Sequence, residues 1–135
     1  MHLQLKLDHL GIAVANLDEA IRLYETLGLS CSQVETIHEQ KVRTATIPLG
    51  ETNLELLEPT EANSPIGKFL ATRGSGIHHL AVQVENIEEK LLDLKSLGLR
   101  LIDETPRIGL GGSQVAFIHP QSTFNTLIEL VQRRS

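Results

Sequence analysis

Tryptophan is absent from this 135-residue chain, and cysteine, methionine and tyrosine occur once each. With only three phenylalanines besides, there is little for nucleobases to stack on, which argues against a single-stranded nucleic acid surface. The lone Cys31 excludes an internal disulfide and fits a reducing cytoplasm. It stands just past a predicted helix, where a small apolar side chain suffices, and is not read as a nucleophile. No apolar run approaches the roughly 18 residues that signal a membrane span, and no basic segment leads into an apolar one. A soluble chain, not exported by a cleaved signal, is therefore expected. Blocks of Lys or Arg are missing too: the net charge is −5, and the doublet Arg133-Arg134 is expected to be solvated. Neither nucleic acid nor membrane is predicted as a partner.

What the chain does contain is a copy of itself. Leu7 to Ser30 (LDHLGIAVANLDEAIRLYETLGLS) slides onto Ile77 to Arg100 at an offset of 70. His9 then falls on His79, Leu10 on Leu80, Val14 on Val84, Asn16 on Asn86 and Glu19 on Glu89, and Leu27-Gly28-Leu29 falls on Leu97-Gly98-Leu99. A repeat this long points to two half-domains and not to a solenoid of short units. Further on, TNLELL (Thr52 to Leu57) matches TLIELV (Thr126 to Val131) at an offset of 74, placing Glu55 on Glu129.

Alternation of apolar residues over 5–14 predicts a strand, with Leu10, Ile12 and Val14 on one face and His9, Gly11 and Ala13 on the other. Asn16, with Glu19 three residues on, forms a capping box for a helix whose apolar stripe is Leu17, Ala20, Ile21, Tyr24 and Leu27. Gly28 stops it. The second copy repeats these steps through 77–84, Asn86, Glu89 and Gly98. Short β-like runs follow each helix: 29–37, 42–49 and 53–57 in the first half, 99–103, 113–118 and 126–131 in the second. Ser64-Pro65 opens a short linking helix to about Thr72, and Gly74-Ser75-Gly76 joins the halves. The glycine loop 107–112 lacks the lysine and following helix of a phosphate-binding loop. The prediction is one α+β domain over 1–135, made of two βαβββ modules at about 5–60 and 76–132.

In these alternating strands the glutamates and histidines lie opposite the residues that pack under the helices. Glu55 sits between Leu54 and Leu56, and Glu129 between Ile128 and Leu130. Small residues (Gly11, Ala13, Ala81) flank the histidines and leave room. Two imidazoles and two carboxylates, one pair per module, form a nitrogen-and-oxygen donor set suited to a divalent metal. Without a cation, carboxylates brought together would repel. His78 points away from His79, and the repeat sets Asp8 across from it. His119 reads as a turn residue, His38 as a loop residue and His2 as terminal.

At these residues the sequence resembles the vicinal oxygen chelate superfamily, and within it the methylmalonyl-CoA epimerase family. The resemblance rests on DHLGIAV with its helix, LELLEP, SPIGKFLATRGSGIHHLAV, PRIGLGG and the terminal HPQST…LIEL, and it covers nearly the whole chain. It implies a half-open curved mixed sheet around a metal site, with the helices on the outer face. The implied ligands are His9, Glu55, His79 and Glu129, holding cobalt or else Ni, Mn or Zn. A homodimer and an acyl-CoA substrate are implied as well. Some epimerases have Gln at the position of Glu55 and a separate glutamate on the neighbouring strand; Thr44 stands there in this chain, so that base does not carry over. Phe124-Asn125 replaces a Gly-Gly pair common in the family.

The implied reaction is epimerisation of (2R)- and (2S)-methylmalonyl-CoA by removal of the α-hydrogen, through an enolate that the metal stabilises. Epimerisation needs an acid/base group on each face, with Glu129 as one and Glu55 as the other. Lys41, Arg43, Lys68, Arg73 and Arg107 are cations available to an anionic CoA tail, none of them assigned. Three rivals share the superfamily: a glyoxalase-type lyase acting on a hemithioacetal, a ring-cleaving iron dioxygenase, and a non-enzymatic small-molecule binder. Glu55 as a fourth ligand argues against the dioxygenase. The scarcity of aromatics argues against the binder.

Overall fold

The computed structural model describes residues 5–134, and these form eight strands and three α-helices, each module running βαβββ with one helix between them in the chain. The strands are β1 (Lys6–Ala13), β2 (Gln33–Ile37), β3 (Val42–Leu49), β4 (Thr52–Pro59), β5 (Gly76–Gln83), β6 (Arg107–Ile108), β7 (Gln114–Ile118) and β8 (Ile128–Gln132). The helices are α1 (Leu17–Thr26), α2 (Pro65–Arg73) and α3 (Ile87–Ser96). The chain packs as two compact units, residues 9–78 and residues 79–134 together with the segment ending at Asp8. Both predicted βαβββ modules are present. No helix among the described residues is long and apolar enough to cross a membrane.

In the unit 9–78 the strand order is β2-β3-β4-β1, with β1 and β4 parallel and the other pairs antiparallel. Asn16 caps α1 by accepting the Glu19 N–H at 3.0 Å, and Glu58 reaches from β4 to accept the Leu17 N–H at 2.9 Å. A carboxylate there also suits the positive end of the helix dipole. Beneath α1 lies a core of Val14, Leu17, Ala45, Ile47, Leu54 and Leu56. Leu17, Ile47 and Leu56 are fully buried, and each contributes about 1.5–3 kcal/mol of transfer free energy. Cys31 packs at the rim of this cluster, as a small apolar residue would. Ser64 caps α2 through the Gly67 N–H at 3.0 Å. Gly67 is required there, since a Cβ would come within 2.3 Å of the Ala62 carbonyl oxygen.

The unit 79–134 repeats the plan with order β6-β7-β8-β5 and β5 parallel to β8. Asn86 accepts the Glu89 N–H at 3.1 Å, and Gln132 accepts the Ile87 N–H at 2.8 Å, matching Glu58 and Leu17 of the first module. Its helix-side core is Val84, Ile87, Leu91, Ala116, Ile118 and Leu130.

Two predicted strands moved. The run 29–37 becomes a strand only at Gln33, because Leu29 N bonds Tyr24 O at 3.1 Å and so still belongs to the closure of α1. The run 99–103 yields only an isolated bridge between Leu101 and Ile118. There Asp103 Oδ2 accepts the Phe117 N–H at 2.9 Å, a side chain taking the place of a strand carbonyl. The outer strand forms instead at Arg107–Ile108, inside what the sequence suggested was only a glycine loop. Gly109 lets that loop close on β7, for a Cβ would lie 2.7 Å from Val115 Cγ1.

Candidate metal centre

Strand alternation and register decide which side chains share a face. In the first unit Gly11 and Thr46 both pair with Glu55, while Ala13 and Thr44 pair with Leu57. His9, two residues before Gly11, therefore lies on the Glu55 face, and the helix-side core lies on the other. His9 Nδ1 stands 3.2 Å from Glu55 Oε2, and both side chains are buried. In the second unit Ala81 and Phe117 pair with Glu129, and His79 Nε2 stands 3.2 Å from Glu129 Oε1. The structure thus brings His9 to Glu55 and His79 to Glu129, each pair on the side of its sheet away from the helix.

The four residues are between 4% and 6% exposed. Lys, Glu, Asp and Arg are almost never buried this fully unless paired or metal-bound, and the rule extends to a carboxylate held against an imidazole. The spacing suits a metal: two donors each about 2.1 Å from a shared ion and about 100° apart are separated by about 3.2 Å. Neutral imidazole nitrogen with carboxylate oxygen suits Co, Ni, Mn or Zn, and the small Gly11 and Ala81 leave the neighbouring positions clear. Each pair therefore fits a divalent cation in distance, burial and donor chemistry.

His38, His78 and His119 take the roles the sequence suggested. His78 turns from His79 and meets Phe69 of α2 edge-on, with ring centroids 5.0 Å apart. His119 Nδ1 accepts the Gln121 N–H at 3.0 Å and so caps a short turn. His38 opens the short turn between β2 and β3, and His2 lies outside the described residues.

Arg133 is a correction. It is not a solvated tail residue: its Nε lies 2.9 Å from Asp8 Oδ1 and its Nη2 2.5 Å from Asp8 Oδ2. Asp8 is 5% exposed, and a buried carboxylate needs such a two-pronged partner. The signal was an aspartate inside an apolar strand, but its partner is 125 residues away and nothing local names it. Thr46 was also missed. It lies opposite Glu55 on the same face, and its Oγ1 is buried with no hydrogen-bond partner among the described residues. Alternation in VRTATIPL would have put Thr44 and Thr46 on that face. Thr44 is committed elsewhere, donating to the Glu35 carbonyl at 3.3 Å.

A family model described as the Glyoxalase/Bleomycin resistance protein/Dioxygenase superfamily matches residues 8–117. Protein YqjC of Bacillus subtilis is 42% identical over 128 residues, covering 94% of this chain and 91% of its own. The human mitochondrial methylmalonyl-CoA epimerase is 36% identical over 129 residues, covering 94% of this chain and 73% of its own. A structure of a singly substituted Streptomyces coelicolor methylmalonyl-CoA epimerase in complex with 2-nitronate-propionyl-CoA superposes with a TM-score of 0.92 at 35% identity, over 96% of this chain and 95% of that one.

Proposed function

The chain belongs to the glyoxalase/bleomycin resistance protein/dioxygenase superfamily and, within it, to the methylmalonyl-CoA epimerases, which are isomerases; from that premise we propose that it interconverts (2R)- and (2S)-methylmalonyl-CoA with a divalent ion held jointly by His9, Glu55, His79 and Glu129. The observation that carries this reading is the buried histidine facing a buried glutamate at 3.2 Å, once in each module. A His–Glu pair in each copy offers donors for a cation that would polarise the thioester and carboxylate oxygens on which charge develops when the proton leaves. The same reading carries cobalt as the working ion, a homodimer and a cytoplasmic setting.

The α-hydrogen of the substrate lies between a thioester and a carboxylate, and its removal leaves negative charge on their oxygens. A divalent cation held by this donor set would supply a Lewis acid for that charge. Glu129, as the carboxylate, would take the proton from one face while Glu55, starting protonated, would deliver one to the other. The reverse conversion would exchange their states, so that each module contributes one acid/base group. His9 and His79 would hold the ion next to these carboxylates, their nitrogens standing 3.2 Å from the glutamate oxygens. Thr46 offers its hydroxyl beside Glu55, where it can bond the carboxylate or a substrate oxygen. In the second module Ala81, Val115 and Val131 form a dry patch next to Glu129, which strengthens local electrostatics by excluding water.

The test is proton NMR of methylmalonyl-CoA in D2O with protein stripped of metal and then reloaded with cobalt. The reading expects the C2 proton signal to vanish only with the reloaded protein, far faster than without protein. A metal-loaded protein that leaves the signal intact contradicts it and redirects attention to hemithioacetals.

A further inference from the structure

The repeat breaks at one position on the face that carries the histidines and glutamates. On the outermost strand of the first module Glu35 pairs with Thr44, one step along from the Thr46–Glu55 pairing. The matching place in the second module, opposite Val115 and one step along from Phe117–Glu129, is Arg107. A carboxylate in one copy is a guanidinium in the other.

Arg107 is held from two sides. Its Nε lies 3.1 Å from Asp103 Oδ1 and its Nη2 3.4 Å from Oδ2, while Asp103, whose side chain is only 13% exposed, is itself pinned by the Phe117 N–H. The guanidinium carbon sits 6.0 Å from the centroid of the Phe117 ring, and that ring meets the His79 ring edge-on at 5.4 Å. Nη1 has no partner among the described residues. A half-exposed ion pair of this kind adds at most about 1 kcal/mol to stability, too little to explain so constrained a cation beside the His79–Glu129 pair. Lys41 is paired with Glu61, Arg43 bridges Asp18 and Glu58 on the helix side, and Arg73 lies over Phe69.

We propose that Arg107 is an anion-recognition residue of the second module, its free Nη1 taking an anionic oxygen of the acyl-CoA substrate, either carboxylate or phosphate. This rests on the epimerase reading. A guanidinium already oriented by Asp103 and Phe117 loses little further freedom on binding, so more of its charge-assisted hydrogen bond appears as affinity. Glu35, at the corresponding place in the first module, would repel the same oxygen, so the contact is one that the second module alone can make.

The experiment compares wild type and Arg107→Gln on methylmalonyl-CoA and on methylmalonyl-pantetheine, which keeps the carboxylate and lacks the nucleotide phosphates. Thermal unfolding is recorded for both proteins. The expected result is a KM about tenfold to a hundredfold higher in the variant, with kcat changed a few-fold at most and Tm nearly unmoved. An equal KM rise for both substrates identifies the carboxylate, and a rise confined to the CoA form identifies a phosphate. Unchanged KM for both substrates, or a lowered Tm with unchanged KM, overturns the proposal. Calorimetric binding of methylmalonyl-CoA separates the two readings. A wild type that binds without epimerising defeats the reaction but leaves the Arg107 affinity difference measurable, and a wild type that does not bind defeats both.

Discussion

The two modules share a histidine, a glutamate and a helix cap, but the sheet face around the glutamate differs between them. Next to Glu55 the first module sets Thr44 and Thr46, with Glu35 beyond; next to Glu129 the second sets Val115 and Phe117, with Arg107 beyond. The His–Glu pairs are kept in register, at 3.2 Å in both copies, while their neighbours on the same face have diverged. A single ion has no handedness to impose, so duplicated donors serve it well. Methylmalonyl-CoA has a carboxylate at one end and a nucleotide at the other, so residues that recognise it have no reason to be duplicated.

The comparison breaks most completely at the shared residues. Replacing His79 or Glu129 by Ala should lower epimerisation by about a thousandfold and abolish cobalt binding, and His9→Ala should do the same. Rates and metal content measured on the same preparations check this. Next in size is the helix-side core: Leu56→Ala and Leu130→Ala remove matching buried side chains and should each cost about 2–5 kcal/mol in urea unfolding. Similar costs in the two modules would show that the copies carry comparable loads. A cost confined to one would mark that module as the stability-determining half.

Glu55→Gln sharpens the comparison. An amide oxygen still coordinates but cannot take a proton, so metal content should persist while interconversion falls about a hundredfold. If Glu55 serves one face only, wash-out of the C2 proton should survive for one epimer and be lost for the other. Retention of most activity would make Glu55 a ligand alone. The smallest effect is at the caps, where Asn16→Ala and Asn86→Ala should each cost about 1 kcal/mol of stability and leave the rate unchanged.

The two His–Glu pairs were legible because they are written twice. His9 and His79, and likewise Glu55 and Glu129, stand out once the copies are superposed, and strand alternation assigns them to the face away from the helices. The caps at Asn16, Asn86 and Ser64 were legible because capping is a local interaction. Contacts across long stretches of sequence were not. Arg133 reads as a tail residue until the fold brings it to Asp8, and Asp103 reads as the end of a strand until its side chain takes the Phe117 N–H. The outer strand at Arg107–Ile108 was hidden by the glycines that follow it, which signal a loop although Gly109 serves to let the chain close on Val115. At Phe124-Asn125 the sequence shows no glycine, yet both residues take left-handed φ of 54° and 65°. The turn keeps the backbone conformation that a Gly-Gly pair adopts without strain.

The central claim is that both modules serve one ion. Titration of the metal-free protein with cobalt, followed by the visible absorption of the bound ion, tests it directly. One equivalent per chain, lost on substituting either Glu55 or Glu129 by Ala, is the predicted result. Two equivalents per chain, one of which survives when the other module's glutamate is removed, would contradict it and make each His–Glu pair a site of its own.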